Sequence, residues 1–154
     1  MPNLIILRGP MGSGKSTIGK YLREKLGDSY RLDLDRNADN EIEFLDVALL
    51  RDNVVGEMYD GGSHTTDPSW INKFKEKGYN ILSVILNANL ETCLNRVLVI
   101  RGDNLSNNDV EAHYNKFHKI LGPIFKINAC VSEISIDTDK KDVNTIGNEI
   151  LNHL

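Results

Sequence analysis

The stretch Gly9-Pro10-Met11-Gly12-Ser13-Gly14-Lys15-Ser16 limits what this chain can fold into more than any other, because it joins two segments of different periodicity. Before it, Leu4-Ile5-Ile6-Leu7 is an unbroken apolar run, suited to a strand buried on both faces of a parallel sheet. After it, Ile18, Tyr21, Leu22 and Leu26 recur at helical spacing until Gly27 supplies a stop. The stretch itself has the spacing glycine, four residues, glycine, lysine, serine or threonine. Its glycines let successive backbone N–H groups converge on a phosphate, and the helix starting near Lys15 adds its positive end. A chance glycine-rich turn would lack both flanks. We therefore expect Gly9, Met11, Gly12, Ser13, Gly14, Lys15, Ser16 and Thr17 to cradle a nucleotide. Lys15 should reach the β- and γ-phosphates, Ser16 should offer its hydroxyl to Mg²⁺, and Thr17 should support the α-phosphate. No Asn-Lys-x-Asp run is present to read guanine, which favours ATP.

The remaining segments extend the same alternation. Residues 30–34 form a short candidate second strand, 35–40 an acidic break, 41–50 a helix and 53–57 a third strand. A flexible turn is expected at 61–64, and a helix that starts at Asp67-Pro68 and stops at Gly78, burying Trp70, Ile71 and Phe74. Residues 79–86 read as a central strand, followed by a helix capped by Asn89 and ended by Gly102. The polar stretch 103–109 reads as a loop, and Val110, Tyr114, Phe117 and Leu121 as one face of a helix closed by Gly122-Pro123. Ile134 and Ile136 mark a last strand, and Val143, Ile146, Ile150 and Leu154 a terminal helix. Strands alternating with helices imply right-handed crossovers, hence a three-layer α/β fold with a five-stranded parallel sheet and helices on both faces. We expect it to occupy 1–154 as one domain. Ligands bind such sheets beyond the carboxyl ends of the strands, where Gly9, Asp35, Glu57, Asn87 and Asp137 fall.

Composition narrows the partners. A net charge of -4 gives no overall basic footprint for duplex nucleic acid. No apolar run reaches the roughly 18 residues of a membrane span, and Met1-Pro2-Asn3-Leu4 has no basic leader, so a cytoplasmic protein is expected. Cys93 and Cys130 lack metal-ligand spacing and read as two reduced thiols.

With the phosphate loop, the acid after the second strand and the paired arginines in place, the chain resembles the small P-loop kinases of the adenylate-kinase-like group, shikimate and gluconate kinases included. The phage-type polynucleotide 5′-hydroxyl kinases resemble it most. The resemblance implies a P-loop NTPase fold, an acidic residue at Asp35, a Trp-led helix over 70–78, an apolar strand over 81–86, and two lid arginines at Arg96 and Arg101. Ser135-Ile136-Asp137-Thr138-Asp139 is similar to the final strand and loop of shikimate kinases, where adenine is accommodated. There are also departures. Fewer than about twenty residues separate the second and third strands, too few for the acceptor flap of nucleoside monophosphate kinases. The shikimate-binding arginine and triple glycine are absent, and 57–68 matches no assignable pattern.

The expected chemistry is Mg²⁺- and ATP-dependent transfer of the γ-phosphate to a hydroxyl of a small metabolite or of a nucleic-acid 5′ end. Asp35 is the expected base, or a ligand to a metal-bound water, with Asp33 and Glu57 as alternatives and a solvated acid or helix cap as the bland reading. Arg96 and Arg101 would act on the transferring group from a lid over 101–109. An ordinary exposed helix arginine is the bland reading of Arg96. The rival function is a nucleotide-binding ATPase or switch acting through a partner protein.

Overall fold

The computed structural model describes residues 1–34, 45–58, 69–101, 106–120 and 131–154. Five strands, β1 (Asn3–Arg8), β2 (Ser29–Asp33), β3 (Asn53–Met58), β4 (Asn80–Asn87) and β5 (Val131–Asp137), form one sheet in the order β2-β3-β1-β4-β5. Every pairing is parallel. Six described helices accompany it: α1 (Lys15–Leu26), α2 (Leu45–Ala48), α3 (Trp70–Glu76), α4 (Leu90–Arg101), α5 (Asn107–Ile120) and α6 (Val143–Leu151). The sheet is thus central and parallel as expected.

Strand alternation divides the core in two. Ile5, Leu7, Val55, Leu82, Val84, Leu86 and Ile136 face Ile18 and Leu22 of α1 and Ile146 and Ile150 of α6. On the opposite face Leu4, Ile6, Leu32, Val54, Met58 and Ile81 pack on Leu45 of α2 and on Trp70, Ile71 and Phe74 of α3. Each such side chain contributes roughly 1.5–3 kcal/mol by leaving water. The unbroken apolar runs of β1 and β4 follow from this, since both strands are covered on both sides. Close approach on the first face depends on one residue. The Tyr21 ring packs against Gly147, where a β-carbon would collide with it, and the Tyr21 hydroxyl hydrogen-bonds Asn148 Oδ1 at 2.8 Å.

Helix ends mostly follow their sequence signals. Asn89 Oδ1 accepts from Thr92 N at 2.8 Å, capping α4 as expected. At the end of α3, Gly78 has φ 80°, with Gly78 N bonded to Lys75 O at 2.9 Å and Tyr79 N to Phe74 O at 3.1 Å. That is a Schellman stop, sealed by the Phe74 and Tyr79 rings with centroids 5.0 Å apart.

Two boundaries differ markedly from expectation. The stretch read as a loop to Asp109 is already helical from Asn107, because Ser106 and Asp109 cap each other: Asp109 N donates to Ser106 Oγ at 3.2 Å, and Ser106 N to Asp109 Oδ2 at 3.4 Å. Polar capping residues look like loop residues in a sequence. The last strand runs over all of Val131–Asp137, where an edge position tolerates the polar alternates Ser132, Glu133 and Ser135. Described α3 starts at Trp70 after Ser69, while the expected start at Asp67-Pro68, the turn at 61–64, Gly102, Gly122-Pro123 and residues 41–44 lie outside the described residues.

Candidate active site

The loop between β1 and α1 is anchored at both ends. Gly9 N donates to Met58 O at 3.2 Å, Ser13 N to Pro10 O at 3.1 Å, and Ile18 N to Gly14 O at 3.0 Å. Gly12 (φ 83°) and Gly14 (φ 102°) occupy the left-handed region, where a side chain would be strained. Gly12 is doubly restricted, because a β-carbon there would run into the backbone of Cys93 on α4. The first turns of α4 therefore lie directly against the loop. The Lys15 Nζ donates to Gly9 O at 2.5 Å and Pro10 O at 3.1 Å, so its ammonium stays over the cradle. Ser16 and Thr17 are exposed in the first turn of α1, and Met11 is half-buried beside α4.

Arg96 lies against the loop from the α4 side. Its Nη1 donates to Gly12 O at 3.2 Å, to Ser13 O at 3.1 Å and to Thr138 Oγ1 at 3.3 Å, and its Nη2 to Thr138 O at 2.8 Å. The guanidinium thus sits under the phosphate loop, fastened to it and to the turn after β5, and is not a free arm. Thr138 is fully buried and is itself tied to the end of β4, its N donating to Asn87 O at 2.8 Å. From sequence, Thr138 entered only through the resemblance of residues 135–139 to shikimate kinases.

A cavity of about 240 Å³ opens between α1 and the β5–α6 turn. Ile18, Val143 and Ile146 form its apolar wall, Arg96, Thr138 and Lys141 contribute polar groups, and Gly12, Ser13 and Gly14 of the phosphate loop form one end. The cavity is therefore continuous with the phosphate cradle. Asp142 caps α6 beside it by accepting from Thr145 N at 2.7 Å, a bond that holds its carboxyl below the usual range.

The carboxylates divide differently. Glu57, a candidate for holding a metal-bound water, is 3% exposed and lies on the α1 face, where Arg31 Nε reaches its Oε2 at 2.7 Å and Arg23 Nη1 the same oxygen at 3.4 Å. It is a buried ion-pair centre under Gly19, which corrects its reading as a solvent-facing acid. Asp33 ends β2 and is exposed, and since Leu32 and Leu34 both enter the α3-side core, Asp33 projects on the α1 side. Asp35 and His64 lie outside the described residues, as does Cys130; Arg101 is placed as the last residue of α4, its side chain outside the description.

One further group, the Arg8 ion pair, went unnoticed in the sequence. Arg8 is fully buried yet charged, pairing with Glu133 on β5 at 2.8 Å, and Ser83 Oγ donates to the same Glu133 oxygen at 3.1 Å. A polar residue closing an apolar strand was the only sign of it. Cys93 is a buried free thiol; burial pushes it up to about 11, against the opposing pull of Arg96 and Lys15. Among the described residues no group of three His, Cys, Asp or Glu could hold a metal ion, and no helix is long and apolar enough to cross a membrane. An Mg²⁺ ion carried by nucleotide phosphates fits this arrangement, because it needs few protein ligands and Ser16 presents an exposed hydroxyl beside the cradle.

No family model and no curated protein matches the chain. Among solved structures, the chain is similar to a shikimate kinase from Acinetobacter baumannii in complex with shikimate, at 24% identity and TM-score 0.61, covering 99% of this chain and 93% of that one. It is similar to a gluconokinase from Sinorhizobium meliloti at 14% identity and TM-score 0.59, covering 98% and 90%. The YorR protein of Bacillus subtilis, in complex with phosphorylated GDP, superposes at 18% identity and TM-score 0.67, covering 98% and 95%. The fold is the α/β fold of P-loop kinases.

Proposed function

We propose that this protein is an ATP-dependent phosphotransferase that moves the γ-phosphate to an alcohol group of a small metabolite or of a nucleic-acid 5′ end. The supporting observation is the continuity of the phosphate cradle with the cavity under Ile18, Val143 and Ile146, which gives one molecule a place for its phosphates and another for its base. At about 240 Å³ the cavity has room for a base. The resemblance of residues 135–139 to the adenine turn of shikimate kinases agrees with this, and the similar YorR structure is itself a complex with phosphorylated GDP.

In this reading the backbone N–H groups of 12 and 14–16 bind the β-phosphate, and Lys15 turns from its carbonyl partners toward the β–γ bridge, where charge builds as that bond breaks. Ser16 and, through a water, Asp35 would hold Mg²⁺, which would neutralise phosphate charge. Asp35 accepts the acceptor hydroxyl's proton as its oxygen attacks phosphorus, and ADP leaves from the opposite side. Arg101, at the end of α4, meets the transferring group when the residues that follow it close as a lid.

The test is incubation with γ-labelled ATP and separate pools of sugars and sugar acids, nucleosides, and 5′-hydroxyl oligonucleotides. Label in one acceptor pool, lost in Lys15→Ala, is the expected result. ATP hydrolysis with no labelled acceptor, stimulated by a protein partner, would replace this reading with that of an ATPase switch.

A further inference from the structure

The four hydrogen bonds of Arg96 reach two segments far apart in sequence, the phosphate loop at Gly12 and Ser13 and the β5–α6 turn at Thr138. Both segments also line the cavity. Resting on the reading of that cavity as the base end of a nucleotide site, we propose that Arg96 is a positioning residue: it fixes the shape of the phosphate loop and makes that shape depend on how the β5–α6 turn is held.

The acceptors of Arg96 carry the argument. Where a loop turns successive N–H groups toward a phosphate, its carbonyls turn away, and carbonyls turned from water need donors. Arg96 satisfies two of them at once with a planar, always charged group, something a lysine ammonium on a flexible stem does poorly. Its remaining bonds end on Thr138, whose Oγ1 lies 3.5 Å from Ser13 O and 3.3 Å from Asn87 O, so the same residue meets the loop and the end of β4. The backbone of α4 lies so close to Gly12 that no β-carbon fits between them. A shift in the turn or in α4 therefore moves the carbonyls of the loop, and with them the N–H groups that hold phosphate. A base filling the cavity keeps the turn, Arg96 and the loop in one arrangement, which is how a group remote from the reacting phosphorus assists transfer.

Inorganic tripolyphosphate separates this role from its rivals, because it occupies the cradle without a base. Binding of ATP and of tripolyphosphate is measured by calorimetry, with Mg²⁺, for the unaltered protein, Arg96→Met, Thr138→Val and the double variant. Thermal unfolding checks the fold of each. A positioning role predicts that tripolyphosphate affinity falls at least about fivefold in Arg96→Met although no base contact is lost. It also predicts a fall in the same direction in Thr138→Val, and a double variant no worse than Arg96→Met, since both act through one set of bonds. Should Arg96→Met be too unstable to purify, Thr138→Val and Arg96→Lys carry the same comparison. Weakened ATP with unchanged tripolyphosphate would overturn the proposal in favour of a base contact, and a tripolyphosphate loss confined to Arg96→Met would overturn it in favour of a direct phosphate contact. If the unaltered protein binds neither ligand, the nucleotide reading itself fails.

Discussion

Arg8 Nη1 and Glu133 Oε2 meet at 2.8 Å across β4, from strands that do not touch each other. Arg8 is wholly buried and immediately precedes the first glycine of the phosphate loop, so the pair pins the base of that loop to the far edge of the sheet. Removing only the carboxylate leaves a buried guanidinium short of a partner. Glu133→Ala should therefore cost about 1–3 kcal/mol in urea unfolding, while Arg8→Met combined with Glu133→Met should cost less than the sum of the single changes. Additive losses would mean that the two residues stabilise the sheet independently.

Lys15→Ala should leave urea stability nearly unchanged, because its ammonium bonds carbonyls of a loop that is also held by backbone bonds at Gly9, Ser13 and Ile18. Phosphoryl transfer should fall at least about a hundredfold, the scale for removing one preorganised charge at a reacting centre. Single-turnover rates on the labelled acceptor measure it, and near-normal turnover in folded Lys15→Ala would remove this lysine from the chemistry.

For the acceptor side, Asp35→Asn should lower kcat on the order of 10² to 10⁴-fold with ATP affinity preserved, the pattern of a lost general base. Asp33→Asn should change kcat by less than about threefold; Asp33 projects on the α1 side of an edge strand. The reverse order of effects would move the base to Asp33.

The thiol of Cys93 gives a pH signature. Its folded value, about 11, lies above the ordinary 9.0, so between roughly pH 9 and 11 the unfolded chain has lost the proton that the native chain keeps. The native state binds more protons there, and stability falls as pH rises through that window, being fully present below pH 9. Subtracting the pH dependence of Cys93→Ala, measured by urea unfolding at pH 8, 9.5 and 10.5, should isolate this fall. A variant with the same slope as the parent would assign the alkaline loss to other groups.

The features legible in the sequence are those in which one residue type answers one local demand. Gly12 and Gly14 have positive φ, Gly78 closes a Schellman turn, Asn89 caps α4, and the apolar runs of β1 and β4 lie in strands flanked on both sides within the sheet. What stayed hidden depended on partners far along the chain. Glu57 and an exposed strand-end acid have the same sequence appearance until Arg23 and Arg31 close on it. Arg8 has no meaning without Glu133, 125 residues away. Arg96 read as a lid cation because the helix carrying it leads into a polar stretch; only the fold brings Gly12, Ser13 and Thr138 around its guanidinium. Ser106 and Asp109 misled for a local reason, since capping chemistry uses the same polar residues as loops.

The contact of Tyr21 with Gly147 also sets a dimension of the site. Two of the three apolar residues of the cavity wall, Val143 and Ile146, ride on α6, and α6 stands as near to α1 as it does because position 147 has no side chain. A single methyl group there, at a place no ligand touches, would wedge the two helices apart and widen the slot between Ile18 and Ile146. The gauge of the slot is thus adjustable from the back of the helix without altering any group that lines it.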